Sequence, residues 1–285
     1  MEIAIISGKG GTGKSSISAA FASMGERVVL ADCDVDAANL HILFNPAHED
    51  EEIYISGYKA ILDNQLCTIC GLCSNICRFD AINFLNGIGL IDDIACDGCK
   101  LCSRVCPENA IHMEINDKSR MFSGSFRYGK MVYGILAPGE ENSGKLVNMV
   151  RAKALMISKN EHIDNIIIDG PPGIGCAVIS SITGADSVVI ITEPTISGLH
   201  DLKRTIEITS LYKLKTWVII NKFDLNHNIS KTIENYCFEN GIQIAGKLHF
   251  DPVVVEAMVN CKSIVEYDPC CIFSKKLTEI WDLIS

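Results

Sequence analysis

Apolar, mostly β-branched runs punctuate the chain at 3–6, 28–31, 166–168, 188–191 and 217–220, closing in polar or glycine-rich turns. Short runs that stay apolar at every position predict strands covered on both faces, as in a parallel sheet. Between most of them apolar residues recur at helical spacing, as with Leu146, Val150 and Ala154, or Leu202, Ile206 and Leu211. Strands alternating with helices imply an α/β fold with a doubly wound, mostly parallel sheet. At the far end, Phe273, Leu277, Ile280 and Ile284 share one helix face, with Lys275 and Lys276 on the other. Two lysines make a weak patch for anionic lipid, so docking of this helix onto the sheet is expected rather than attachment to a membrane.

From about residue 57 to 117 the alternation stops and the chain repeats itself at an offset of 29 residues. Cys67-Thr68-Ile69-Cys70-Gly71-Leu72-Cys73 matches Cys96-Asp97-Gly98-Cys99-Lys100-Leu101-Cys102, and Ala81-Ile82 matches Ala110-Ile111. A short internal duplication flanked by α/β sequence reads as an inserted small domain. The expected organisation is therefore 1–56 with 118–285 as the main domain and 57–117 as an α+β insert. Residues 117–130 are expected to be the return linker, although Phe122, Phe126 and Tyr128 are unusual in a floppy one.

Composition narrows the class. With 285 residues, 48% of them hydrophobic, the chain buries a sizeable core. A net charge of -10 argues against a protein that coats nucleic acid or an anionic membrane. No apolar run approaches the ~20 residues that span a bilayer, so stable membrane insertion is not expected. Residues 1–6 run straight into a glycine-rich loop instead of a secretory signal, and a cytoplasmic protein is expected. In that setting its 14 cysteines point to metal rather than disulfides.

After the first run comes Gly8-Lys9-Gly10-Gly11-Thr12-Gly13-Lys14-Ser15-Ser16, followed by an apolar helix start. In such a P-loop the backbone N–H groups from Gly8 to Ser16 turn inward around phosphate oxygens, Lys14 reaches the β- and γ-phosphates, and Ser15 ligates Mg²⁺. Acids follow two other runs: Asp32, Asp34 and Asp36 after the second, and Asp169 before Gly170-Pro171-Pro172-Gly173. At the carboxyl ends of parallel strands, carboxylates are placed to serve a metal ion and water. One or two of them could equally cap the next helix.

Lys9 is not required by an ordinary P-loop, and with it the sequence resembles the deviant-Walker ATPases: MinD, ParA, the Mrp-type iron–sulfur carriers and the nitrogenase iron protein. The resemblance implies ATP/ADP and Mg²⁺ as ligands and a dimer, homodimeric or formed with a related ATPase, in which Lys9 reaches the partner's nucleotide. It implies Asp34 as the switch residue that orients attacking water and meets Mg²⁺, with Asp32 or Asp36 nearby on the metal. Asp169 would then be the Walker B acid and the glycine–proline turn the second switch. Asn221-Lys222-Phe223-Asp224 has the letters that read guanine in GTPases, but in this family an Asn–Lys pair contacts adenine, with Asp251 and Pro252 on the other side of the base. Glu193-Pro194-Thr195 and Glu141-Asn142-Ser143-Gly144-Lys145 resemble segments near the dimer face or the insert in ferredoxin-bearing relatives.

Within the repeat, Cys67, Cys70, Cys73 and Cys77 form one complete run, and Cys96, Cys99, Cys102 and Cys106, followed by Pro107, form another. In bacterial ferredoxins the fourth cysteine of each run ligates the other cluster. That predicts one [4Fe–4S] cluster on Cys67, Cys70, Cys73 and Cys106 and a second on Cys96, Cys99, Cys102 and Cys77. Zinc is the main alternative, but its tetrahedral sites draw on paired C-x2-C units. Arg78 stands where the first run would carry proline. Over most of its length the chain thus resembles MinD-type ATPases with an inserted ferredoxin domain. The resemblance implies an ATP-hydrolysing iron–sulfur protein whose nucleotide state is coupled to electron transfer or metallocofactor maturation. The rival is an ATP-dependent spatial or assembly switch that recruits a partner protein, its clusters acting as sensor or staple.

Overall fold

The computed structural model describes residues 1–140 and 143–285. In chain order the elements begin β1 (Glu2–Ser7), α1 (Lys14–Met24), β2 (Val28–Asp32), α2 (Leu40–Phe44), β3 (Ala47–Tyr54), β4 (Gly57–Leu62), α3 (Leu72–Ile76), β5 (Ile82–Leu85) and β6 (Ile88–Ile91). They continue with α4 (Leu101–Val105), β7 (Ile111–Asn116), β8 (Ser119–Phe126), β9 (Gly129–Ile135), α5 (Ser143–Glu161), β10 (Asn165–Pro172), α6 (Cys176–Ile182) and β11 (Ser187–Thr192). The chain closes with α7 (Ile196–Leu211), β12 (Lys215–Asn221), α8 (His227–Glu239), β13 (Gln243–Leu248), α9 (Val253–Val259), α10 (Ile264–Tyr267) and α11 (Ile272–Ile284).

All five apolar runs are strands of one sheet, ordered β13-β12-β11-β1-β10-β2-β9-β8-β3. From β13 to β9 every pairing is parallel, and the inner strands, covered on both faces, read as unbroken hydrophobic runs. Ile5, Leu30, Ile167, Val189 and Ile219 are fully buried, and Ile17 and Phe21 of α1 join them in one core. The terminal helix docks as its apolar stripe requires: Phe273, Leu277, Ile280, Trp281 and Ile284 enter the same core, with the Trp281 ring 5.3 Å from that of Phe21. Leu211 departs from its expected face and is 81% exposed at the end of α7. Among the described residues no helix is long and apolar enough to cross a membrane.

The linker expected at 117–130 is corrected by the structure. Ser119–Phe126 is strand β8, which leads through a two-residue turn into β9, and its aromatics pack: Phe126 stands 4.9 Å from Phe44, and Phe122 stacks 5.1 Å from Tyr133. Beyond β8 the sheet gains an edge strand that no hydrophobic pattern announces. β3 is Ala-His-Glu-Asp-Glu-Glu-Ile-Tyr, largely exposed. Charge on an edge is compatible with pairing on one side and discourages pairing on the other. Two of its acids are held by lysines of the sheet and α5, Glu49 by Lys130 at 2.7 Å and Asp50 by Lys153 at 2.5 Å.

The chain parts into two compact units, one of Met1–Glu51, Met121–Gly134 and Gly144–Ser285, the other of Glu52–Arg120 and Ile135–Ser143. The smaller unit thus extends past 57 and 117 and takes in a second segment. Within it β4 pairs antiparallel with β7, and β5 with β6. The 29-residue repeat is visible in the backbone. Helices α3 and α4 begin and end 29 residues apart, and left-handed φ values recur at the same offset, at Ile69 and Gly98, Gly71 and Lys100, and Asp80 and Asn109. The unit's apolar cluster is small: Ala60, Ala81, Ile82 and Ile111 with three cysteines, Cys73, Cys96 and Cys102. A core of this size rarely stabilises a domain without a metal or a cross-link.

Candidate functional site

The larger unit brings its chemistry together where β1, β2 and β10 end. Residues 8–13 leave β1 as an open loop, and α1 starts at Lys14 with no side chain capping its first turn, so those N–H groups are open to an anion. Two glycines are required by close approach. A Cβ on Gly13, whose φ is +92°, would stand 2.4 Å from Asn221 Nδ2, and one on Gly8 would stand 2.4 Å from Asp201 Cβ. The Thr12 hydroxyl is buried without a hydrogen-bond partner, a rare state for a polar atom and one that a bound phosphate oxygen would relieve.

Lys14 is 6% exposed, its ammonium 3.1 Å from Asp169 and 3.6 Å from Asp34. Burial pulls its pKa down, but Asp169, Asp34 and Asp32 outweigh that and leave it above the ordinary lysine value. Ser15 and Ser18 both donate to Asp169, at 2.8 and 2.7 Å. Lys14, Ser15, Asp34 and Asp169 therefore stand together, a set able to take phosphate oxygens on the lysine and a divalent cation on the hydroxyl and carboxylates. Burial pushes the Asp34 carboxyl up against the pull of Lys14, with Asp169 adding to the rise.

The other two acids of the cluster have different surroundings. Asp32 accepts from the backbone N–H groups of Asp34, Asn39 and Leu40, each at 3.2 Å, tying the loop after β2 to the start of α2. It lies fully buried, in register with Asp169 on the neighbouring strand. Burial, then the Asp169 charge, raise its pKa to about 7. Asp32 is thus the helix-capping acid that the sequence left as an option, and Asp36 is exposed.

Lys9 points to its own chain. Its ammonium sits 2.6 Å from Glu193 and 3.3 Å from the hydroxyls of Thr195 and Ser197. Glu193 also meets Lys222 at 3.3 Å; burial raises its pKa, but the two lysines outweigh it and hold the carboxyl below its usual range. Glu193 was legible only as a family-like segment, and its role as a double lysine anchor came from tertiary contact. Thr195 caps α7, accepting from Gly198 N at 2.9 Å. Of the other segment, Glu141 and Asn142 lie outside the described residues, and Ser143, Gly144 and Lys145 open α5.

Asn221 and Lys222 grip the loop itself: the Asn221 amide donates to Thr12 O at 2.8 Å and the Lys222 ammonium to Gly11 O at 3.1 Å. They line a cleft with Gly13, Ser16, Phe250 and Asp251. Pro252 is the residue before α9 and is not among those lining it. Asp224 does not line it either; its carboxylate accepts from Phe250 N at 2.7 Å.

The smaller unit holds two cavities rich in cysteine. One is lined by Cys67, Cys70, Cys73 and Cys106, the other by Cys77, Cys96, Cys99 and Cys102. Each cavity draws three cysteines from one run and the fourth from the other. Among the described residues no three His, Cys, Asp or Glu side chains converge closely enough to hold a single metal ion. A cubane places each thiolate on a separate iron at a separate corner, so its ligands surround it and stand farther apart than those of one ion. Four cysteines line each cavity, the number of ligands such a cluster would take.

The family model of the CobQ/CobB/MinD/ParA nucleotide-binding domain matches residues 3–264. An uncharacterized protein of Methanocaldococcus jannaschii is 38% identical over 231 residues, covering 80% of this chain and 80% of the relative. The septum site-determining protein MinD of Bacillus subtilis is 26% identical over 209 residues, 72% of this chain and 57% of that protein. Among solved structures, the septum site-determining protein MinD of Pyrococcus horikoshii complexed with Mg-ADP aligns with a TM-score of 0.61 at 17% identity, covering 100% of this chain and 96% of that one. At that identity the likeness speaks for the fold alone.

Proposed function

The chain belongs to the CobQ/CobB/MinD/ParA nucleotide-binding family, and from that premise we propose that it is a dimeric ATPase carrying two [4Fe–4S] clusters in its smaller unit, with nucleotide state coupled to electron transfer or metallocofactor maturation. The observation that carries the iron–sulfur half is the crossed lining of the two cysteine cavities. Cys67, Cys70, Cys73 and Cys106 would hold one cluster and Cys77, Cys96, Cys99 and Cys102 the other; bound there, the clusters supply one-electron storage. The small apolar core beside them supports the same reading.

For the ATPase half, Lys14 would carry the β- and γ-phosphates, and Ser15 and Asp34 would hold Mg²⁺, which when bound neutralises phosphate charge. Asp169, bonded to Lys14 and Ser15, would orient them, and Asp34 would position the attacking water. Adenine is favoured over guanine because Asp224, the residue a guanine reader needs, is spent on Phe250 N and stands outside the cleft. Lys9 would act on a second subunit's nucleotide only after leaving Glu193. Lys9→Ala is expected to bind ATP as the wild type does but to lose the part of its turnover that rises with protein concentration. Wild-type turnover in that variant would remove the trans-acting role.

One observation favours the rival reading, an ATP-dependent switch that recruits a partner: relatives include septum site-determining proteins and a flagellum site-determining protein. Cluster potentials measured without nucleotide, with MgADP and with a non-hydrolysable MgATP analogue separate the two. A nucleotide-dependent shift of about 59 mV, a tenfold change in a one-electron equilibrium, is expected for coupled electron transfer. Equal potentials in all three states would leave the partner-recruiting switch.

A further inference from the structure

Two cavities built from a duplicated sequence ought to be electrically alike, yet their charged neighbours differ. The cavity of Cys77, Cys96, Cys99 and Cys102 is also lined by Arg78 and Lys100, with Asp97 as its acid. The cavity of Cys67, Cys70, Cys73 and Cys106 is lined by no lysine or arginine, and by Glu108. A third cation stands beside the first of these. Lys59 on β4 is 8% exposed, and its ammonium donates to the carbonyl of Cys96 at 2.6 Å and to that of Gly139 at 3.1 Å. Among the described residues its hydrogen bonds go to carbonyls, and no carboxylate forms an ion pair with it.

We propose that Lys59, Arg78 and Lys100 make the site of Cys77, Cys96, Cys99 and Cys102 the easier of the two to reduce, so that the first electron to enter the smaller unit settles there. This rests on the reading of two clusters above. Reduction adds one negative charge to a cluster, and a nearby cation favours the more negative state, most strongly where water is excluded. Net charge and hydrogen bonding around the ligands are among the levers that set such potentials. Among lining residues, the cation-rich cavity has two cations against one acid and the other has one acid and no cation, while Lys59 reaches the first from outside its lining through Cys96 O.

The asymmetry is written on a backbone that is otherwise repeated. Lys100 occupies the position of Gly71 in the first run and adopts the same left-handed φ, +67° against +78°. Glycine takes that conformation without strain and lysine does not, so the backbone alone gives no reason for a lysine here. What the lysine adds is charge: Lys100 is one of the residues lining the cavity, and its ammonium lies 3.5 Å from the ring centroid of Tyr58.

The test is a redox titration of the anaerobically purified full chain, followed by the EPR signals of the reduced clusters, after iron and sulfide analysis. Two waves are expected in the wild type. Lys59→Met is expected to make the higher wave at least about tenfold harder to populate, ~59 mV lower, and to leave the lower wave in place. Lys100→Gly, which restores the residue of the first run and relieves its backbone, is expected to move the same wave in the same direction, and it serves if the buried substitution fails to fold. Glu108→Gln is expected to raise only the lower wave. Coincident waves in the wild type, or variants that lower both waves equally or neither, would overturn the asymmetry. Fewer than two clusters per chain would instead sink the iron–sulfur reading on which it stands.

Discussion

Lys14→Ala is expected to weaken ATP binding by roughly two to three orders of magnitude, measured by calorimetry with MgATP on refolding-competent protein. The ammonium, buried beside Asp169 and Asp34, would pair with phosphate oxygens, and truncating one partner of a buried charge pair between protein and ligand costs about 2–5 kcal/mol of binding, each ~1.4 kcal/mol being tenfold in affinity. The substitution also leaves Asp169, already in register with Asp32, without its neutralising cation. Some loss of stability is therefore expected with the loss of affinity, and Lys14→Gln, which keeps most of the stem, guards against reading unfolding as weak binding. Wild-type affinity in a folded Lys14→Gln protein would overturn the assignment of the loop to phosphate.

The second large effect concerns which cysteines act together. Cys73→Ser and Cys106→Ser are each expected to lower iron from about eight to about four per chain, because each breaks one four-iron cluster. Their combination is expected to lose no more than either alone, since both line one cavity. Cys73→Ser combined with Cys77→Ser, two residues of the same run, is expected to lose both clusters, since they line different cavities. Ligation within runs predicts the reverse pattern for these two double variants, so iron and sulfide analysis decides between them. Chains that bind no iron in the wild-type form would end the iron–sulfur reading altogether.

Much of this protein was legible because its signals are local. Residues 3–6 and 166–168 read as buried strands because every position is apolar, and both are central in the sheet. The loop from Gly8 to Ser16 reads as a phosphate site because its glycines, Lys14 and Ser15 need no distant partner to reveal their chemistry. The repeat at 29 residues likewise anticipates the matched helices α3 and α4.

What tertiary structure alone decided involves residues whose role depends on what they meet. β3 is rich in glutamate and aspartate, and no propensity makes a strand of it; it becomes one because β8 offers an edge and Lys130 and Lys153 take up two of its charges. Of the three acids from the end of β2 onward, Asp32 went to backbone N–H groups and Asp34 to Lys14, a choice set by the turn of the chain between them. Glu193 acquired Lys9 and Lys222 from loops far away in sequence. By itself the sequence determined the parallel sheet, the phosphate loop and the paired cysteine runs, because hydrophobic period and ligand spacing are properties of neighbours along the chain. Which carboxylate faces which lysine, and which cavity gathers the cations, was decided by the fold, because Coulomb forces act on distance in space and ignore distance along the chain.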